Sequence, residues 1–220
     1  DGWEVAHGFD PTSIPTEAIV GWWQFNETNG AVAFDSSGYE NSGDIFGADR
    51  VPGRLLNGLE FSGADDYVVV SNSAVYKPTQ LTIGLWVKIR EPDAVTNGVS
   101  VMLAQANAGS GHAYALYMTA QQSLVFQIEN SAENNMARLE TADIFCVTGQ
   151  WYHLVGTYDG TNAAFYVNSV KIGTLAYTSA LEYAAGSGLV FGGERTGALD
   201  EALVLNRALS AAEIAEMDEW

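Results

Sequence analysis

The chain closes on the stretch GALDEALVLNRALSAAEIAEM, which runs from Gly197 to Met217. Apolar residues dominate its first half and predict a strand that carries Asp200 and Glu201. Ser210 then stands where a helix would begin, and Glu213 follows at the position that completes a capping box. The stretch therefore predicts a last strand, a turn and a short C-terminal helix.

A turn cluster nearer the start of the chain is the second informative stretch. It reads FDSSGYENSG, from Phe34 to Gly43, and it places Ser, Asn and Gly around Asp35. Side-chain and backbone oxygens of such a turn can converge on one ion, and Ca²⁺ prefers oxygen ligands. With Asp200 near the other end, the turn offers a way for Ca²⁺ to tie the two ends of the domain together. An Asx turn at Asp35 and an ordinary buried hydrogen bond at Asp200 explain the same residues without an ion.

Short strand patterns fill the chain between these two stretches. β-branched and aromatic runs recur at turn-separated intervals, and the turn DGTN after Tyr158 is a hairpin signal. We predict an all-β fold, a two-sheet antiparallel jelly-roll β-sandwich with one short C-terminal helix. The predicted strands are Ile19–Phe25, Gly58–Ser62, Tyr67–Ser71, Leu81–Arg90, Val99–Ala104, Ala113–Thr119, Leu124–Glu129, Ala137–Thr141, Trp151–Tyr158, Ala163–Val167, Val170–Leu175, Gly188–Phe191 and Ala198–Leu205.

Length and charge limit the domain count and the partners. The 220 residues suit one β-sandwich, which we place at residues 18–220 after an N-terminal arm or linker at residues 1–17. The formal charge of −18 argues against nucleic acid and anionic lipid as partners, because both need a basic surface. The same charge disfavours a polyanionic sugar unless Ca²⁺ or a local Arg offsets it.

Cysteine usage and hydropathy bear on where the protein works. Cys146 is the one cysteine, so no internal disulfide forms and a disulfide-dense eukaryotic scaffold is disfavoured. No apolar stretch reaches the roughly 18 residues of a membrane helix, so membrane insertion is not expected. We interpret the chain as one module of a larger exported protein, secreted or at the cell surface, and of bacterial origin.

Six segments in order carry a family resemblance that covers nearly the whole chain from Ile19 to Met217. They are GWWQFNETNG, DSSGYENSG, GLEFSGADDYVVV, LTIGLWVKI, QWYHLVGTYDGTNAAFYVNSVKIG and GALDEALVLNRALSAAEI. In this order they resemble a laminin G-like domain of the concanavalin A-like lectin/glucanase superfamily. The resemblance implies a jelly roll, frequent structural Ca²⁺ binding and a recognition role in large secreted proteins. It also implies that Asp200 and Asn41 join Asp35 as metal ligands.

The resemblance has one departure, the segment NSVKIG from Asn168 to Gly173. The family usually has a tighter Asp-Gly turn at this place. The departure predicts an irregular hairpin.

Alternation along the strands predicts a ligand-binding face, since successive residues of a strand point to opposite sides of a sheet. We expect one sheet face to combine aromatic rings with amide, carboxylate and cationic groups. A pyranose stacks on a ring while its hydroxyls hydrogen-bond to planar polar side chains, so such a face predicts sugar binding. In the alternative, the rings pack under a loop and the polar residues form solvated cross-strand pairs. The predicted ligand-binding set is Trp86, Lys88, Tyr117, Gln127, Glu129 and Arg138.

Catalytic patterns matter here because hydrolases and lyases share this fold. A retaining glycosidase needs two carboxyls about 5–5.5 Å apart, whereas strand alternation puts Asp200 and Glu201 on opposite faces. A lyase would use a Tyr or His base with Arg and Gln, roles open to Tyr117, His112, Arg138 and Gln127. His112, however, lies in the loop sequence AGSGHA, and the resemblance is not to a lyase family. We therefore expect a non-enzyme without catalytic residues.

The sequence thus predicts a non-catalytic, Ca²⁺-stabilised, lectin-like module that binds a polysaccharide or glycan. A protein- or peptide-binding adhesion module is the first alternative, with loops making the contact. A polysaccharide lyase or glycoside hydrolase of the same fold is the second.

Overall fold

The computed structural model describes residues 14–63, 65–90, 99–106, 111–143, 145–193 and 196–218. Within these ranges, one α-helix, α1 (Ala211–Met217), follows the last strand. The strands there are β1 (Ile19–Trp23), β2 (Val32–Ala33), β3 (Gly43–Phe46), β4 (Asp49–Pro52), β5 (Asn57–Phe61), β6 (Tyr67–Val70), β7 (Leu81–Ile89), β8 (Val99–Ala106), β9 (His112–Thr119), β10 (Leu124–Asn130), β11 (Asn135–Glu140), β12 (Trp151–Tyr158), β13 (Asn162–Val167), β14 (Val170–Ala176), β15 (Leu189–Phe191) and β16 (Gly197–Leu205).

The strands form two eight-stranded sheets that pack as a sandwich. The first sheet has the order β14-β13-β12-β7-β16-β5-β4, with β1 also paired to β16. The second has the order β11-β10-β9-β8-β15-β6-β3-β2. Every pairing between named strands is antiparallel, so the predicted all-β jelly roll with a short C-terminal helix is confirmed.

The core lies between the sheets and follows the predicted alternation. Leu81, Ile83, Leu85 and Val87 of β7 all face it and are fully buried. Aromatic side chains fill the centre, where the rings of Trp23 and Phe191 lie 4.9 Å apart between centroids. Each sheet thus has an inner face on this core and an outer face turned away from it.

The sequence prediction missed strands β2, β3 and β4. β2 has two residues, and β4 carries a proline and alternates poorly between apolar and polar side chains. β3 exposes Asp44 and Phe46, so it lacks the apolar run by which the other strands were found. All three lie at or next to sheet edges, where short, polar strands are common.

The C-terminal helix packs on the outer face of the first sheet. Its predicted capping box is confirmed, since Ser210 Oγ accepts from the Glu213 backbone N–H and Glu213 accepts from the Ser210 N–H. Ile214 and Met217 of α1 join a buried cluster that contains Trp22 and Leu205 from β1 and β16. This part of the outer face is therefore covered by the protein itself.

The hairpin between β13 and β14 has a regular two-residue turn and an irregular strand pairing, so the prediction of an irregular hairpin holds for the pairing and not for the turn. Asn168 and Ser169 both have positive φ, at 48° and 61°. Two central residues with positive φ are typical of a type I′ turn, which fits the twist of a hairpin. The register of the two strands shifts between Phe165 and Tyr166.

Candidate functional site

The six residues predicted to bind a ligand are divided between the two sheets. Trp86 and Lys88 lie on β7 of the first sheet, whereas the other four lie on β9, β10 and β11 of the second. The outer faces of the two sheets point away from each other, so the expectation of a single face was wrong. Alternation identifies the outward side of each strand and contains no information on which sheet the strand joins.

Trp86 does not offer a ring to a ligand. Trp86 is 6% exposed, and its ring stacks on the His153 ring with 4.9 Å between centroids. The Arg54 guanidinium lies 4.6 Å from the same ring, and Asp218 Oδ1 lies 3.2 Å from His153 Nδ1. Trp86 is thus packed within the protein, as the alternative interpretation of the sequence describes.

The four residues on the second sheet do come together. Tyr117 Oη donates to Gln127 Oε1 at 2.8 Å, and Gln127 Nε2 donates to Glu129 Oε2 at 3.3 Å. Arg138 sits opposite Gln127 in the ladder, with its guanidinium 5.9 Å from the Tyr117 ring. We call Tyr117, Gln127, Glu129 and Arg138 the polar cluster.

The Tyr117 ring itself is covered, because this residue is 7% exposed. Burial raises the pKa of Tyr117 above its ordinary value, although the nearby Arg138 opposes the shift. The phenol therefore remains a hydrogen-bond donor at neutral pH. It orients Gln127 and is not a stacking platform.

A cavity of about 390 Å³ lies beside the polar cluster. Val101 and Ala104 line this second-sheet cavity and also pack with Tyr117 on the outer face. His112 lines it too, and burial lowers the pKa of His112 while Glu129 opposes that shift. At neutral pH the wall therefore presents an uncharged imidazole next to a carboxylate.

One cross-strand row runs along the cavity from the edge strand β11 to β6. Each residue of the row is paired in register with the next, and small side chains in the middle leave a depression between larger ones. The row runs Val69, Val190, Ala104, Ala115, Gln127 and Arg138.

An exposed aromatic pair at the other end of this face was missed from the sequence. Phe46 of β3 and Tyr67 of β6 are ladder partners whose rings stack with centroids 4.8 Å apart and planes 26° apart. Phe46 is 46% exposed. Alternation would have found the pair if β3 had been recognised, since Ile45 points to the core and Phe46 away from it.

Lys88 lines a different cavity, of about 590 Å³, on the outer face of the first sheet. Arg90 and Glu60 also line it. We call it the first-sheet cavity. Lys88 thus lies at an opening in the surface, while Trp86 on the same strand does not.

Two of the residues predicted to bind Ca²⁺, Asp35 and Asn41, accept hydrogen bonds from groups of the protein itself. Asp35 accepts four of them, from the backbone N–H groups of Trp22, Ser37 and Asn41 and from the Ser37 hydroxyl. A carboxylate has about four acceptor sites, so this arrangement uses them all. The Asn41 carbonyl oxygen accepts from the Trp23 indole. The donors around Asp35 fit an Asx-type turn and do not fit an ion bound to Asp35 and Asn41 as they stand.

Asp200 lies elsewhere, in a buried pair with Glu201. Asp200 accepts from the backbone N–H groups of Leu55 and Glu201, each at 2.9 Å, while Glu201 accepts from the Trp22 indole at 2.7 Å. No group of three or more His, Cys, Asp or Glu in the described parts of the chain is placed to hold a metal ion. Ca²⁺ binding by this protein stays a prediction.

The prediction that Asp200 and Glu201 face opposite sides was wrong. Glu201 has a φ of 50°, and the β16 ladder shifts register between Asp200 and Leu203. A bulge of this kind inserts an extra residue and breaks the alternation. Both carboxyls consequently contact groups of the outer face, where Trp22 and Leu55 pack together.

Most of the chain matches a known protein family. A laminin G family model, described as concanavalin A-like lectin/glucanases superfamily, matches residues 62–215. The chain belongs to the concanavalin A-like lectin/glucanase superfamily. The laminin G-like resemblance of the sequence is thereby confirmed. No curated protein sequence matches this superfamily member.

Solved structures similar to this lectin/glucanase-fold domain are binding domains and an enzyme. The binding domain of Paraclostridial Mosquitocidal Protein 1 is 16% identical with a TM-score of 0.74, and the match covers 92% of this chain and 52% of that one. The receptor binding domain of botulinum neurotoxin D is 16% identical with a TM-score of 0.72, covering 93% and 53%. A Trypanosoma rangeli sialidase in complex with 2,3-difluorosialic acid is 20% identical with a TM-score of 0.68, covering 93% and 33%.

These identities establish a shared fold. The chain spans about half the length of these two binding-domain structures. Among the helices of the described residues, none is both long and apolar enough to cross a membrane.

Proposed function

We propose that this domain is a non-catalytic carbohydrate-binding module and that the outer face of the second sheet is its binding surface. One observation carries the proposal. The Phe46–Tyr67 pair and the polar cluster lie on the same sheet face, and a cavity of about 390 Å³, lined by residues of β8, β9 and β15, lies between them.

The chemistry of this face matches that of a sugar. The apolar side of a pyranose packs on an exposed ring, which Phe46 supplies. Sugar hydroxyls both donate and accept, and Glu129 accepts while Arg138 donates. His112, uncharged at neutral pH, offers one donor and one acceptor on the cavity wall. The face thus provides a stacking surface and directed polar contacts within one region.

The similar structures support a binding role in general terms. Two are described as binding domains, one of a mosquitocidal protein and one of a botulinum neurotoxin, and the sialidase was solved with a sialic acid derivative. By analogy of fold, we propose that the chain works as a module of a larger bacterial protein, secreted or at the cell surface.

The non-catalytic part of the proposal rests on the carboxyl pair. Asp200 is 0% exposed and Glu201 is 7% exposed, so neither can reach a glycosidic bond at the surface. A glycosidase requires its acid and its nucleophile or base to flank that bond.

A peptide-binding adhesion module remains the second candidate because of another surface feature. Phe34 and Tyr39 are both exposed on the loop that surrounds Asp35. Exposed aromatic side chains on loops are typical of protein contacts. Loss of binding on Phe34→Ala, with retention on Phe46→Ala, would favour this candidate.

A glycan array on the isolated domain tests the proposed function. We expect specific glycan hits that weaken at least about tenfold on Arg138→Ala, because a hydrogen bond to a charged group contributes about 1.5–3 kcal/mol. Phe46→Ala is expected to weaken them similarly through the lost stacking. Lys171→Ala, on the first sheet, is the control and should keep wild-type binding. An array without hits, or hits that none of the second-sheet variants weakens, would contradict the proposal.

The structural Ca²⁺ expected from the sequence has its own test. Melting temperatures in calcium chloride and in EDTA distinguish a bound ion from the Asx turn, because the two temperatures are equal if the four donors around Asp35 stay in place. An ion bound to the folded state would instead raise the melting temperature with its concentration. Such a rise, abolished by Asp35→Asn, would support the metal prediction and show that the turn rearranges to bind it.

A further inference from the structure

We propose that the first-sheet cavity is a second ligand site and that it binds the carboxylate of an acidic sugar unit, a hexuronate. The cavity measures about 590 Å³ and lies where β7, β16, β5 and β4 run side by side. Pockets for small ligands typically measure about 300–1,000 Å³. This site faces away from the second-sheet surface, so the inference does not rest on the proposed function.

A cross-strand row arranges charges of opposite sign around an apolar floor. Lys88 of β7 pairs with Ala198 of β16, and Ala198 pairs with Glu60 of β5. Adjacent strands lie about 4.8 Å apart, which places the backbones of Lys88 and Glu60 about 10 Å from each other. The small Ala198 between them leaves the depression open, and Val51 and Pro52 of β4 extend its apolar lining.

Arg90 adds a second cation on the Lys88 side. It follows Lys88 by two residues, which corresponds to about 7 Å along an extended backbone. Its guanidinium makes a long hydrogen bond, 3.4 Å, to the Ser62 carbonyl oxygen, so most of its donors are available. One side of the cavity therefore carries two cations, and the other side carries Glu60.

These two cations differ from most others in the protein. Arg50, Arg138 and Arg207 each pair with a glutamate, and Arg54 and Lys171 each lie over an aromatic ring. Within the described residues, neither Lys88 nor Arg90 pairs with a carboxylate. In a protein of net charge −18, two adjacent cations without such partners form a local anion-binding surface.

The surroundings favour a sugar with one carboxylate over other anions. A highly charged polyanion is repelled by the net charge of −18, whereas one carboxylate at contact distance meets mainly the local cations. Glu60 would repel a second acidic group, but it can accept hydrogen bonds from hydroxyls. The apolar floor can pack against the C–H groups of a sugar ring. A hexuronate unit combines all three features.

Titrations of the isolated domain, followed by the NMR amide signals of Gly149 and Ala198, test this site. The probes are methyl glucuronide, methyl galacturonide, methyl glucoside and sodium acetate. We expect at least one hexuronide to bind at least about tenfold more tightly than the glucoside and acetate, as expected for hydrogen bonds to charged groups. The inference is overturned if neither hexuronide shifts these signals, or if glucoside or acetate binds as tightly.

A charge-removal variant localises the binding. Lys88→Gln combined with Arg90→Gln should weaken hexuronide binding at least about tenfold. Lys77→Gln combined with Lys171→Gln removes the same charge elsewhere and should leave the affinity unchanged. Equal affinities in the two double variants would overturn the site, provided that circular dichroism shows both to be folded. Arg138→Ala reports on the second sheet independently, so failure of one site is distinguishable from failure of the other.

Discussion

Replacing Gly156 with valine is expected to leave little or no folded protein. Gly156 lies on β12 and faces the ring of Phe126 across the sandwich. A Cβ atom at this position would lie 2.3 Å from Cδ2, 2.5 Å from Cε2 and 2.6 Å from Cγ of that ring. Phe126 is buried in the core beside Phe165, so the ring has no free space into which to move. Added volume in a packed core typically costs about 1–3 kcal/mol or more, and valine adds three carbons here.

Alanine at position 156 is expected to destabilise the protein less than valine does. We expect Gly156→Ala to fold with a free energy of unfolding lowered by about 3 kcal/mol, measured by urea denaturation. Gly84→Ala on the neighbouring strand is the matched control. Its Cβ would lie 3.4 Å from the Leu154 carbonyl oxygen, an ordinary contact, so its stability should equal or slightly exceed that of wild type. Similar losses in both variants would show that the close approach of the sheets is not the cause.

The stability of the protein is expected to fall as pH rises from about 4 to about 8, because of the buried Asp200–Glu201 pair. Burial raises the pKa of Asp200 from 3.8 to about 7, although N–H groups of Leu55, Glu201 and Arg54 and the Arg54 charge oppose the shift. Burial and the charge of Asp200 raise the pKa of Glu201 from 4.5 to about 8, and the Trp22 indole opposes this shift. The two groups interact and titrate as a pair.

The sign follows from proton binding. Between the unfolded and folded pKa values, the folded state holds more protons than the unfolded state. These two groups therefore contribute most to the free energy of unfolding below about pH 4. Their contribution is lost as the pH rises to about 8. Each pKa unit corresponds to about 1.4 kcal/mol, so upward shifts of this size predict that the free energy of unfolding falls by several kcal/mol over this pH range.

Urea denaturation at a series of pH values from 5 to 9 measures this effect. Glu201→Gln keeps an acceptor for the Trp22 indole and removes one of the two charges. We therefore expect it to reduce the pH dependence of the free energy of unfolding by about half. Glu216→Gln, an exposed change on α1, is the control and should keep the wild-type slope. A wild-type stability that is constant over this range would contradict the prediction. The pKa of Glu213 is lowered to about 2, chiefly by Arg207, so its titration falls outside the measured window.

The sequence predicts those parts of this protein that depend on local pattern. The apolar alternation of β7 and the Ser210–Glu213 capping box each lie within a few residues, and both are confirmed. The order of six segments along the chain was enough to identify the superfamily. These features depend on neighbouring residues or on sequence order, both of which the sequence contains.

The arrangement of the candidate site depends on contacts between distant segments, which local pattern does not describe. Trp86 and Tyr117 both point outward from their strands, but pairing with β12 and β16 places Trp86 on the other sheet. The backbone of Glu201 is in the left-handed region, so its carboxyl does not lie on the face that strand alternation predicts. Phe46 was missed because its strand is recognisable mainly by its pairing with β6.

The pairing of the first and last strands has a mechanical consequence. Ile19 of β1 is the ladder partner of Leu205 of β16, and the Asn206 N–H donates to the Ala18 carbonyl oxygen at 2.9 Å. The hydrogen bonds of an antiparallel ladder run perpendicular to its strands. Tension applied through Ala18 and Asn206 would therefore load these bonds one after another and peel β1 from the sheet, beginning at this end. Pulling on these two residues would therefore open the β1–β16 ladder first, while the second sheet, which contains neither strand, stayed paired.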